Sequence, residues 1–103
     1  MSNSKSNQSS VSKIEITSKE WQDQSGNTYY SAQMVINDNE TIYLSERYGY
    51  GSQYLYSCLE ILAEIMKMDS MSVYMLENML NVEVIDNGAK STSRREMRAF
   101  GRA

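Results

Sequence analysis

The side chains that carry most enzyme chemistry are scarce in this chain of 103 residues. It has no histidine and one cysteine, Cys58. That removes Ser-His-Asp and Cys-His catalysis, imidazole-dependent zinc sites and histidine pH switches. A lone cysteine makes no internal disulfide and no thiolate cluster. Cys58 lies in an apolar stripe without a basic neighbour in sequence, so it reads as a buried, inert thiol. Glu60 and Glu64 stand one helical turn apart, a spacing that suits a shared cation or acid–base work. No third ligand accompanies them, and they sit on the polar strip of their helix. The expectation is a solvent-facing pair, no metal, no cofactor and no catalytic site.

Residues suited to binding are more plentiful. Gly49, Gly51 and Ser52 form a loop at a strand-to-helix junction, where backbone N–H groups and a helix start can hold an anion. The plainer reading is a tight turn with Ser52 as helix cap. Eight tyrosines are spread over the chain. Strict alternation puts Tyr29, Tyr43 and Arg47 on one sheet face, with Tyr50 just beyond it. Aromatics with an arginine serve as protein-interface anchors or as a base-stacking platform. Cross-strand packing within the sheet uses the same residues.

Charge is unevenly placed. Residues 1–87 hold five basic and twelve acidic side chains, a net −7. Residues 88–103 hold five basic and one acidic, a net +4, with Arg94, Arg95 and Arg98 close together. An acidic body with a basic end has the pattern of an interaction tail.

These side chains need elements to position them. Residues 1–12 are Ser/Asn-rich and read as a disordered leader. Residues 13–22, 28–37 and 41–48 alternate as strands, joined by turns at 23–27 and at Asp38-Asn39-Glu40. Residues 53–67 show helical spacing with an apolar arc wider than one contact face requires. A second, Met-rich helix is expected over 71–80, then a short strand over 81–86 and a turn at Asn87-Gly88. Ser93 and Glu96 have capping-box spacing, which allows a short basic helix over Arg94–Phe100. The fold class is therefore α+β: a three-stranded antiparallel meander, two helices on one face and a short final strand (β-β-β-α-α-β). The expected organisation is a leader (1–12), one domain (13–87) and a basic tail (88–103). The Met-rich helices are a candidate homodimer surface.

The run Gly26-Asn27-Thr28-Tyr29-Tyr30-Ser31, followed by Tyr48-Gly49-Tyr50-Gly51 and Tyr54, resembles a group of small phage- and prophage-encoded proteins of unknown function. The likeness spans roughly residues 13–66 and departs at Tyr30, where that group often has histidine. It implies a phage origin and assigns no catalytic residue. A fainter likeness, of fold only, is to the end of a double-stranded-RNA-binding domain. The lysines that hold phosphate there are replaced here by Gln53, Tyr54 and Leu55.

No basic stretch followed by an apolar run opens the chain, and no apolar run approaches the roughly 20 residues of a membrane span. The expectation is a cytoplasmic accessory protein that binds a host or phage macromolecule, foremost a protein. The alternatives are nucleic-acid binding through the tail and the tyrosine face, and capture of a small phosphorylated ligand at Gly49–Ser52.

Overall fold

The structure, a computed structural model, describes residues 11–102. Strand β1 (Lys13–Gln22) alternates as its sequence implies, with Ile14, Ile16 and Ser18 fully buried. It pairs antiparallel with β2 (Thr28–Ile36), and β2 pairs antiparallel with β3 (Glu40–Tyr48). The Asp23 carboxylate organises the first turn. It accepts from the Asn27 amide at 2.8 Å and the Ser25 amide at 2.9 Å. The backbone bond from Asn27 leads the effects that hold this carboxyl below its usual range. The second turn centres one residue earlier than the sequence pattern implies. Asn37 and Asp38 take φ of 55° and 56° in a three-residue loop between the paired Ile36 and Glu40, and the Asn39 amide bonds the Ile36 carbonyl at 3.0 Å. Asn and Asp tolerate that conformation better than other side chains.

The final strand differs from expectation. β4 (Glu83–Ser91) runs parallel to β1, so the sheet is mixed and ordered β3-β2-β1-β4. Asn87-Gly88 does not end it. Ile16 pairs with Asp86 and Ser18 with Ala89, so Asn87 and Gly88 form a bulge, with Gly88 at φ +82°. The Asn87 amide pins the bulge to β1, donating to Glu15 Oε2 and Thr17 Oγ1, both at 2.9 Å.

Helix α1 (Gln53–Ile65) covers the sheet face that carries Ile14, Ile16, Ala32 and Met34, and buries Tyr54, Cys58, Leu59, Leu62 and Ala63. The second helix expected over 71–80 shrinks to a helical stretch at 73–79, whose body (Met75–Met79) is a single π-helical turn. Leu76 from this turn is fully buried in the core. Asn81 at φ +57° reverses the chain, and the Val82 amide bonds the Leu76 carbonyl at 2.7 Å. So short a turn covers only part of α1's apolar arc, and Ile65 stays 46 % exposed.

The basic segment beyond Gly88 continues the sheet and then covers it. Helix α2 (Arg94–Phe100) starts at Ser93, whose hydroxyl accepts the Glu96 amide at 3.1 Å. It lies on the face opposite α1. The Ser31 hydroxyl donates to the Met97 carbonyl, and the Gln33 side-chain amide to the Phe100 carbonyl at 3.0 Å. Met97 is fully buried. The Lys19 ammonium stands 4.8 Å from the centre of the Phe100 ring, and Arg98 pairs with Glu46 at 2.7 Å. Of the Ser/Asn-rich leader, residues 1–10 lie outside the described residues. Val11 packs on the core, and the Ser12 amide bonds Asn37 Oδ1 at 2.8 Å.

Gly101 marks how tightly α2 is held. A Cβ there would stand 2.5 Å from the Leu44 carbonyl oxygen and 2.7 Å from Ser31 Cβ. Gly101→Val is therefore expected to cost about 1–3 kcal/mol in urea unfolding by overpacking. It should also speed amide exchange across residues 94–100, whereas Ala99→Ser, on the exposed side, should change neither. Unaltered exchange in Gly101→Val would mean that α2 is not docked in this way.

Candidate functional site

One extra residue in β3 decides which side chains meet at the β3–α1 junction. Ala32 pairs with Leu44, but Tyr30 pairs with Arg47. A single inserted residue reverses the side-chain alternation beyond it. Arg47 is thereby placed opposite Tyr30, on the α1 side, and not beside Tyr43 as uninterrupted alternation implies. Tyr43 remains on the α2 side, opposite Gln33, and is 40 % exposed.

At the β3–α1 junction Arg47 joins a concavity of about 340 Å³ with Tyr30, Tyr48, Gln53, Tyr56, Ser57 and Glu60. The Tyr30 ring is buried, and its hydroxyl meets Ser57 Oγ at 2.7 Å, fastening α1 to β2. The rim is open. Tyr48 is 65 % exposed and Tyr56 is 66 % exposed, with Tyr50 at 72 % in the adjoining loop. Of the expected interface residues, Arg47 lines this concavity and Tyr50 adjoins it; Tyr29 pairs with Tyr48 at the same end, with its ring on the other sheet face. Tyr56 is absent from the sequence-based set, although a signal was present: it is an exposed aromatic one helical turn before Glu60, which lies on the polar strip of α1.

Tyr29 belongs to a second aromatic group on the α2 side. Its ring stacks on Trp21 with centroids 5.8 Å apart and meets Tyr48 edge-on at 5.5 Å. The Arg94 guanidinium lies 5.3 Å from the Trp21 ring centre. Arg94, Arg95 and Arg98 share a shallow surface with Ala99 and Arg102. Tyr43 is separated from this row, since α2 is anchored between them at Ser31 and Gln33.

The Gly49–Ser52 loop is shaped by packing. A Cβ on Gly49 would collide with Gln53 Oε1 and with the Tyr30 ring. The Gly49 amide donates to the Thr28 carbonyl at 2.9 Å, extending the sheet by one residue. Gly51 has open space around it and owes its identity to φ +66°. Ser52 stands at the helix cap, but its hydroxyl makes no capping bond; its carbonyl accepts from Leu55 and Tyr56.

Two buried groups back this end of the molecule. Burial pushes the Cys58 thiol up to about 11, against the pull of the nearby Arg47 charge. Burial, then the bond to the Asp86 carboxylate at 2.7 Å, pushes the Tyr54 phenol up to about 12. Neither is poised as a nucleophile near neutral pH. Among the described residues, no three His, Cys, Asp or Glu side chains come together as a metal site, and no helix is long and apolar enough to cross a membrane. Comparison with protein-family models, with curated proteins and with solved structures finds no match.

The raised Cys58 and Tyr54 groups both favour the fold below alkaline pH, beside a smaller contribution from the partly exposed Lys13, raised by its bond to Asp38. Cys58 and Tyr54 bind their protons more tightly folded than unfolded, so their stabilising effect is complete below the unfolded values and is lost as pH rises through the folded ones. The urea midpoint should fall between about pH 9 and pH 12. Tyr54→Phe should flatten the upper part of that fall. A midpoint that holds steady over this range would contradict the burial of both groups.

Proposed function

We propose that this chain acts without catalysis, as a small phage-type accessory protein that binds another protein at the Arg47/Tyr48/Tyr56 concavity. The observation that supports this is the exposure of Tyr48 on β3 and Tyr56 on α1, which line one concavity with Arg47, with exposed Tyr50 in the adjoining loop. Tyrosine buries much area at little entropic cost, and Tyr and Arg dominate the few positions that carry most interface energy. The concavity is anchored from beneath by the Tyr30–Ser57 bond, so little reorganisation accompanies docking. The Gly49–Ser52 loop gives a phosphorylated ligand less support, because packing and backbone conformation account for both glycines.

Nucleic-acid binding is the second reading, and one observation favours it: the arginine helix folds against the Trp21–Tyr29–Tyr48 row. Against it stand the net −7 of residues 1–87 and the use of Arg98 in an internal ion pair. Affinity for nucleic acid depends on phosphate neutralisation.

Affinity capture from bacterial lysate separates the two. The protein reading expects a discrete protein that persists through nuclease and about 0.5 M salt, conditions that remove phosphate-driven binding. Arg47→Ala or Tyr56→Ala should weaken its binding by about thirtyfold, the scale of an interface hot spot, with the urea midpoint unchanged. Recovery of nucleic acid that is lost with salt and with Arg94→Ala, with no surviving protein, would overturn it.

A further inference from the structure

A second groove, of about 530 Å³, runs between α1 and the segment that follows it. Leu59, Ala63 and Met68 give it an apolar floor, and Glu64 and Asp69 stand exposed on its rim. Among the described residues there are two ion pairs, Lys13–Asp38 and Arg98–Glu46, and neither involves these carboxylates. On the far face of the sheet, Arg95 and Arg102 are exposed beside Ala99 and are likewise outside both pairs. The groove and the arginine surface are thus complementary in charge, and each offers small apolar contacts.

They cannot meet within one chain. α1 sits on the face of Tyr30 and α2 on the face of Ser31, with the sheet between them. Two copies stacked face to back bring them together. We propose that the occupant of the α1 groove is the arginine surface of α2 from a second copy of this chain. Such contact joins two different patches, so it is heterologous: each copy keeps one free groove and one free arginine surface, and the assembly grows. Partial exposure of the charges makes it sensitive to salt. A domain with so little core gains stability from such a partner. This goes beyond the Arg47/Tyr56 reading: Tyr56 and Glu60 line both hollows, and the test below leaves both residues and Arg47 intact.

The test is sedimentation velocity on the nuclease-treated full chain, at roughly 50 mM and about 0.5 M salt. Two double variants are needed, each checked for an unchanged urea midpoint. Glu64→Lys/Asp69→Lys reverses the groove. Arg95→Gln/Arg102→Gln neutralises the helix surface. The wild type should gain mass with concentration at low salt and return to monomer at high salt. Each variant alone should associate at least tenfold more weakly. Mixed one to one, they share a single matched contact and should give a dimer that grows no further. A wild type that is monomeric throughout would overturn the proposal. So would association that persists in the arginine variant, as a Met-rich symmetric dimer requires. Growth only when nucleic acid is added back would assign the arginines to that partner and overturn it too.

Discussion

β1 is hydrogen-bonded along both edges, and the rest of the architecture answers to that. One partner, β2, is a hairpin neighbour. The other, β4, is separated from it by some 70 residues, as the Thr17–Asn87 bond records. A parallel partner cannot be reached by a tight turn. The chain crosses from the β3 edge to the β4 edge over one face, and α1 with the π-helical turn forms that crossing. The crossing elements bury Leu59, Leu62 and Leu76 on Ile14 and Ile16. Loss of β4 pairing would leave β1 with an unsatisfied row of backbone groups under a helix, which is costly when buried.

The same pairing explains why the C-terminal segment is ordered. β4 runs on through a bulge to Ser91, and α2 begins three residues later. The chain leaves the sheet on the face that α1 does not occupy. Ser31 and Gln33 then supply donors for the Met97 and Phe100 carbonyls at the end of a short helix. Those carbonyls have no partner inside a helix of seven residues. Met97 adds the apolar anchor. Side chains that read as the polar outer face of a strand are here the docking site of a helix.

The elements with strong local signals were legible in the sequence. β1 keeps its expected bounds, and β2, β3 and α1 shift by no more than two residues, because alternation and helical spacing report directly on burial. The Ser93–Glu96 spacing gave α2 its start. What was not legible depends on non-local pairing. Asn87-Gly88 has the composition of a turn, yet a positive φ serves a bulge equally well. Only the pairing of Asp86 and Ala89 with β1 decides between them. Likewise nothing in Ser45-Glu46-Arg47 announces the extra residue that carries Arg47 across the sheet. The anchored half of the β3–α1 concavity, Tyr30 with Ser57, was hidden for the same reason. The Met-rich segment misled through composition: its methionines suit a helix, but seven residues after Leu76 the chain already enters β4 at Glu83, which leaves room for a short turn only.

Both free edges of the sheet carry a bulge. On β3 it lies before Arg47, and on β4 at Asn87-Gly88. Bulges and charged side chains are the usual means of keeping an edge strand from pairing with another chain. Glu40 and Glu46 mark one edge here, and Glu83 and Lys90 the other. Association by strand addition is therefore disfavoured on either side, and contact with other molecules is left to the two faces and the helices on them. Those faces differ in character: tyrosine, arginine and carboxylate around α1, and arginines backed by stacked aromatics around α2. The bulge in β3 serves both ends of this division. It blunts the edge, and by inverting one side chain it delivers the arginine that completes the tyrosine concavity.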